Sequence, residues 1–150
     1  MIRRPPRSTL DRSSAASDVY KRQSSISKIP GASKIFIGSI VSYSKFSKKN
    51  ILKIDESELD NYSTVSKEIT IKMAESVKQK LKTDYSIAIT GNAGPTVDSP
   101  ETNLCDCFVA ILSDNEIFCQ KFQFDCNRED FINSATNSSF QLFFDKIIKQ

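Results

Sequence analysis

Apolar residues in this chain change rhythm from segment to segment, and each rhythm predicts an element. Ile69, Met73, Val77 and Leu81 recur every four residues, the one-sided stripe that a helix presents to a core. Ser66 stands in the N-cap position before them, and Glu68 puts a negative charge in the first turn, so a helix is predicted from Ser66 to about Thr83. Asp84-Tyr85-Ser86-Ile87-Ala88-Ile89-Thr90 reads as a short strand, stopped by Gly91. Phe108–Leu112 and Glu116–Phe124 flank Ser113-Asp114-Asn115 and predict an antiparallel hairpin. Asn127, with Asp130 three residues on, caps a last helix whose inner side carries Phe131, Ala135, Leu142 and Phe143. Its Asn- and Ser-rich middle, Asn133 to Ser139, is poor in helix formers.

The earlier part of the chain is less regular. Ser24–Ile29 reads as the tail of a helix, ended by the turn signal Pro30-Gly31. Ile35–Tyr43, rich in Ile, Val and Phe but interrupted by Gly38, reads as a strand or a turn leading into one. Lys48–Ile54 follows as a short helix or loop, and then an acidic segment holds Asp55, Glu56, Glu58 and Asp60. The order of strands and helices predicts an α/β domain, a mixed sheet flanked by helices.

Composition separates the first 23 residues from the rest. They hold five of the six arginines and show neither helical nor strand periodicity. Arg- and Ser-rich composition suggests a transit peptide superficially, yet there is no amphipathic stripe. The run also resembles translated sequencing-adapter carry-over, so residues 1–23 are read as a foreign, disordered segment and residues 24–150 as the domain. The charge follows the same division. Six basic and two acidic residues precede Ser24, leaving 15 basic against 16 acidic in the remainder. A body with that balance gives no sign of a nucleic-acid partner. No apolar run is long enough to span a membrane, and four cysteines without a signal peptide suggest reduced thiols in the cytoplasm.

Candidate chemistry gathers in two stretches. Pro30 to Lys49 contains Ser33, Tyr43 and Lys48 in a protein without histidine. A hydroxyl nucleophile needs a base, and without histidine the candidates are a carboxylate or a lysine. Lys45, Lys48 and Lys49 can equally be a solvated basic turn. Thr90-Gly91-Asn92-Ala93-Gly94-Pro95 lies just after a strand, where glycines let backbone N–H groups turn toward an anion; a plain tight turn is the other reading. Cys105, Cys107, Cys119 and Cys126 lack the spacing of the usual zinc-ribbon pairs, so no metal and no cofactor is expected.

These segments, taken in order, carry a resemblance. Pro30-Gly31-Ala32-Ser33, Val41-Ser42-Tyr43-Ser44, Lys48, Val65-Ser66-Lys67-Glu68 and Thr90-Gly91-Asn92-Ala93-Gly94-Pro95 together resemble the C-terminal domain of CinA. That family includes stand-alone nicotinamide mononucleotide (NMN) deamidases. Phe124 and Arg128 stand where the family has its Phe-Pro-Gly-Asp-Arg approach to the last helix. The resemblance implies a three-layer α/β/α sandwich with a mixed sheet, and hydrolysis of the NMN carboxamide to nicotinic acid mononucleotide and ammonia. It implies Ser33 as nucleophile with Tyr43 and Lys48 as partners. Thr90, Gly91, Asn92, Ala93, Gly94 and Arg128 would hold the ribose or phosphate of this small-molecule substrate.

Three departures from the family pattern accompany the match. The family's Glu-Ser-Cys-Thr-Gly-Gly segment and its preceding strand belong before Ser24, where the adapter-like run stands. One sheet strand is therefore expected to be missing, and a homo-oligomer would be one way to cover the exposed edge. Thr96-Val97-Asp98 replace glycines, and Leu104-Cys105-Asp106-Cys107 puts a charge where the family has Val-Gly-Thr-Val. Ile132 stands where an arginine is expected. The trio also sets a geometric condition. A straight strand from 33 to 43 would hold Ser33 and Tyr43 roughly 33 Å apart at about 3.3 Å per residue. A shared site therefore requires a turn between Gly31 and Gly38, or a site shared between subunits.

Overall fold

The computed structural model describes residues 26–94, 103–125 and 127–149. The foreign-looking segment 1–23, Pro95, the Thr96–Asp98 replacement and Cys126 lie outside the described residues. The elements are α1 (Lys45–Asn50), α2 (Glu56–Asn61), α3 (Lys67–Leu81), β1 (Ser86–Gly91), β2 (Asp106–Leu112), β3 (Ile117–Gln123) and α4 (Arg128–Phe143). A 3₁₀ turn at Ala32–Lys34 precedes them and a π-helical turn at Phe144–Ile148 ends them.

Among the described residues the sheet has three strands in the order β1-β2-β3, antiparallel throughout. Ala88 sits opposite Ala110, and Ala110 opposite Cys119, while Ile89 faces Val109. Because side chains alternate along a strand, this register sorts the sheet into two faces. Ala88, Ala110 and Leu112 pack with Ile69, Met73 and Ala74 of α3, joined by Leu52, Ile54 and Leu59 from the α1–α2 region. On the other face, Val109 and Ile111 pack with Leu142, and Cys107 packs with Phe131, Ile132 and Ala135 of α4. The layers are therefore helix, sheet and helix. Ile69, Val109 and Ile111 are completely buried, and each such side chain contributes roughly 1.5–3 kcal/mol of hydrophobic stabilisation.

Local chemistry sets the boundaries. The Ser66 hydroxyl accepts from Ile69 N and begins α3. The Asn127 side chain accepts from Asp130 N at 3.0 Å and begins α4. Ser44 and Ser47 form a reciprocal capping box for α1, which places that helix three residues earlier than the sequence pattern suggests. The acidic segment is the short helix α2, with Glu56 and Glu58 in its first turn. Its inward Leu59 is buried. Ser86, the first residue of β1, donates from its hydroxyl to Ala74 O at 2.8 Å and ties the strand to α3.

One expected element differs. Residues 36–43 form no strand among the described residues, and Gly31 turns the chain with φ +85° into the 3₁₀ turn. Strand structure requires a ladder partner, and this segment pairs with none of the described strands. Ile40 still packs against the α3-side core, whereas Ile35, Ile37, Val41 and Tyr43 are exposed. No helix among the described residues is long and apolar enough to cross a membrane.

Candidate functional site

Lys48 is the least expected side chain in the core. It sits on α1 with only 4% of its surface exposed. Its Nζ donates to Ser42 O at 3.2 Å and lies 3.4 Å from Tyr43 O. The neighbouring lysines behave differently: Lys45 pairs with Asp60 and Lys49 with Glu56, all four on the surface. The basic cluster read from the sequence thus splits into two solvated ion pairs and one buried amine held against backbone carbonyls. Buried lysines are the form in which this side chain serves as a base or nucleophile. The capping box at Ser44 fixes where α1 starts, and so directs Lys48 inward, one helical turn on. The Ser42 hydroxyl is also buried and has no hydrogen-bond partner among the described residues.

Ser33 and Tyr43 are arranged less tightly. Ser33 lies in the 3₁₀ turn and is exposed. The condition of a turn between Gly31 and Gly38 is met by Gly31 and that 3₁₀ turn. Even so, no hydrogen bond joins Ser33 Oγ to Tyr43 or Lys48 among the described residues. Tyr43 approaches Lys48 through its backbone carbonyl, while its side chain is half exposed.

The loop after β1 is held from several sides. Asn92 N donates to Asp106 O at 2.9 Å, and Cys105 N donates to Asn92 O at 2.7 Å. The Arg128 guanidinium donates to Gly94 O, so at least one N–H of this predicted ligand contact serves the loop itself. Thr90 is buried, and its hydroxyl donates to Thr64 O at 2.8 Å. Asn92 is buried, and Ala93 and Gly94 are partly buried. Gly94, at φ +80°, turns the chain in the left-handed region.

Sequence reading did not single out Asp106 as part of this loop. Its side chain is completely buried; Oδ2 pairs with Lys121 Nζ at 2.7 Å and accepts from Asn103 N at 3.2 Å. Oδ1 has no hydrogen-bond partner among the described residues. A signal existed in the Leu104-Cys105-Asp106-Cys107 departure, a charge in a place expected to be small and neutral. Of the cysteines, Cys105 and Cys107 are buried thiols. Burial pushes the Cys119 thiol up to about 11, with Glu68 adding to the rise and Lys67 opposing it. Among the described residues no group of three or more potential ligands is placed to hold a metal ion.

The fold is an α/β/α domain that buries one lysine on α1 and ties the glycine-containing loop after β1 to the start of β2. Comparison with known proteins identifies its family. A family profile described as the CinA C-terminal domain matches residues 21–147, and the chain belongs to that family. A CinA-like protein of Flavobacterium psychrophilum is 36% identical over 129 residues, covering 86% of this chain and 31% of that protein. A CinA-like protein of Thermosipho melanesiensis is 36% identical over 116 residues, covering 76% of this chain and 29% of the relative. The chain thus spans about a third or less of these relatives' length. In fold it is similar to a CinA superfamily protein of Klebsiella pneumoniae, with a TM-score of 0.83 at 20% identity, covering 89% of this chain and 83% of that one. A competence or damage-inducible protein of Enterobacter asburiae gives 0.81 at 22% identity, covering 85% and 80%.

Proposed function

We propose that this domain hydrolyses the carboxamide of nicotinamide mononucleotide, giving nicotinic acid mononucleotide and ammonia. The observation that carries the reading is Lys48, a buried amine held by the Ser42 and Tyr43 carbonyls in a protein with no histidine. In this mechanism neutral Lys48, directly or through the Tyr43 hydroxyl, accepts the proton of Ser33 as Oγ attacks the carboxamide carbon. Backbone N–H groups stabilise the tetrahedral oxyanion. The proton passes to the departing nitrogen and ammonia leaves. Water then attacks the acyl-serine ester, releasing the acid and restoring Ser33. A serine–lysine pair of this kind is a known variant of the triad logic. Thr90, Gly91, Asn92, Ala93 and Gly94 would shape the ribose and phosphate end, and Arg128 would hold the loop that does so. A cytoplasmic setting, in which the nucleotide is available, goes with this reading. The purified chain is expected to release ammonia from NMN, and Ser33→Ala to abolish that release; equal turnover in the variant would sink the mechanism.

A second reading has its own observation. Ser33 is exposed and makes no hydrogen bond to Lys48 or Tyr43 among the described residues, which favours a domain that binds the nucleotide without turning it over. NMN would then raise the melting temperature while ammonia stays at background.

A further inference from the structure

The ion pair between buried Asp106 and half-exposed Lys121 has no role in the chemistry just described, yet it stands at the root of the loop proposed to receive the ligand. Asp106 opens β2, and Lys121 lies on β3 opposite Phe108, two residues along. Reaching back diagonally, Lys121 brings Nζ to 2.7 Å from Asp106 Oδ2 and 5.9 Å from the centre of the Phe108 ring. The same carboxylate oxygen accepts from Asn103 N and closes the turn that leads into the strand. Within that turn Cys105 has φ +61°, a conformation that side-chain-bearing residues adopt only when their surroundings impose it. Cys105 N donates to Asn92 O, Asn92 N donates to Asp106 O, and Phe124 N donates to Cys105 O. One ion pair therefore holds the turn whose backbone clamps Asn92 from both sides.

Energetics point the same way. A completely buried carboxylate loses its hydration, and attraction to a half-exposed lysine, screened by solvent, offsets that loss only in part. Asp106 also leaves Oδ1 without a partner among the described residues, a further cost. A group retained at such cost at a loop root is better explained by the geometry it fixes. We propose that Asp106 and Lys121 are positioning residues: their ion pair holds the 103–106 turn, and through it the Asn92–Gly94 loop, in the arrangement that receives the mononucleotide. The ligand rests on the reading under Proposed function; the mechanical claim does not.

The test uses the full chain and three variants: Lys121→Met, the neutral near-isosteric double variant Asp106→Asn with Lys121→Gln, and Lys121→Arg. Amide hydrogen exchange is followed at Asn92 and Cys105, with Ser113 at the opposite end of the hairpin as internal control. The first two variants are expected to speed exchange at Asn92 and Cys105 on the order of tenfold while Ser113 stays within about twofold. Lys121→Arg should restore slow exchange. With NMN as probe, KM or the dissociation constant should rise on the order of tenfold, with kcat, where turnover is measurable, within about twofold. Should Lys121→Met not fold, the double variant decides. Unchanged exchange at Asn92 and Cys105, or an equal rise at Ser113, overturns the proposal. If the wild-type chain neither binds nor hydrolyses NMN, the deamidase reading fails, and the exchange data still decide whether the pair holds the loop.

Discussion

Gly91 and Cys107 face each other across the β1–β2 ladder so closely that a β-carbon on Gly91 would lie 2.7 Å from Cys107 Cβ. The same carbon would lie 2.8 Å from the tip of the Phe131 ring. Gly91 is thus the point where sheet, loop and α4 come together. Gly91→Ala is expected to destabilise the domain by about 1–3 kcal/mol, the usual cost of overpacking. Thermal or urea unfolding checks this, and an unchanged midpoint would show that Phe131 can move aside freely.

Thr90 stands next to it but does different work. Its buried hydroxyl is committed to Thr64 O, joining β1 to the segment before α3. Thr90→Val keeps the side-chain shape and removes the donor, so a loss of about 0.5–1.5 kcal/mol is expected. Because this bond anchors the root of the loop proposed to receive NMN, NMN affinity should fall by more than about twofold as well. Titration of the folded variant by calorimetry separates the two effects.

Lys48 is expected to matter more for chemistry than for folding. Lys48→Met retains most of the buried stem and removes the amine. If Lys48 is the base, ammonia release from NMN should fall about 10²–10⁴-fold. A folded Lys48→Met protein that hydrolyses NMN at the wild-type rate would remove Lys48 from the mechanism. Circular dichroism on the same sample distinguishes lost activity from lost structure.

The Cys119 thiol gives a pH signature. Burial raises it from 9.0 to about 11 in the folded protein, so the unfolded chain loses this proton first as pH rises. Stability therefore decreases between about pH 9 and pH 11, where the unfolded state binds fewer protons than the native state. The native thiol is also expected to alkylate more slowly than a small-molecule thiol at pH 8.5, its rate still climbing past pH 10. Mass-resolved labelling of Cys119 against the Cys119→Ser variant measures it.

Much of this architecture was legible from periodicity. The four-residue spacing of Ile69, Met73, Val77 and Leu81, with Ser66 ahead of it, marks α3, and Asn127 marks the start of α4. Ser113-Asp114-Asn115 joins β2 and β3 as the pattern implies. The acidic stretch concealed α2 because one buried residue, Leu59, gives no periodic signal. Ile35–Tyr43 has strand composition without strand structure, because composition supplies the side chains of a strand and cannot supply its neighbour. Membership of the CinA C-terminal domain family was legible too, through ordered short motifs and not through any one of them.

The stretch from Pro30 to Lys49 shows where the sequence stops. By itself the sequence determined that a serine, a tyrosine and a lysine occur close together without histidine, and that a glycine-containing loop follows a strand. Those are matters of residue type and local spacing. Only the tertiary structure decided that, of three neighbouring lysines, Lys48 is the buried one, since burial depends on how α1 docks on the core. Tertiary structure likewise decided that Arg128 reaches Gly94 across 34 residues and that Asp106 is buried against Lys121. Such contacts join elements distant in the chain, and no local pattern of hydrophobic and polar positions encodes which charge will meet which.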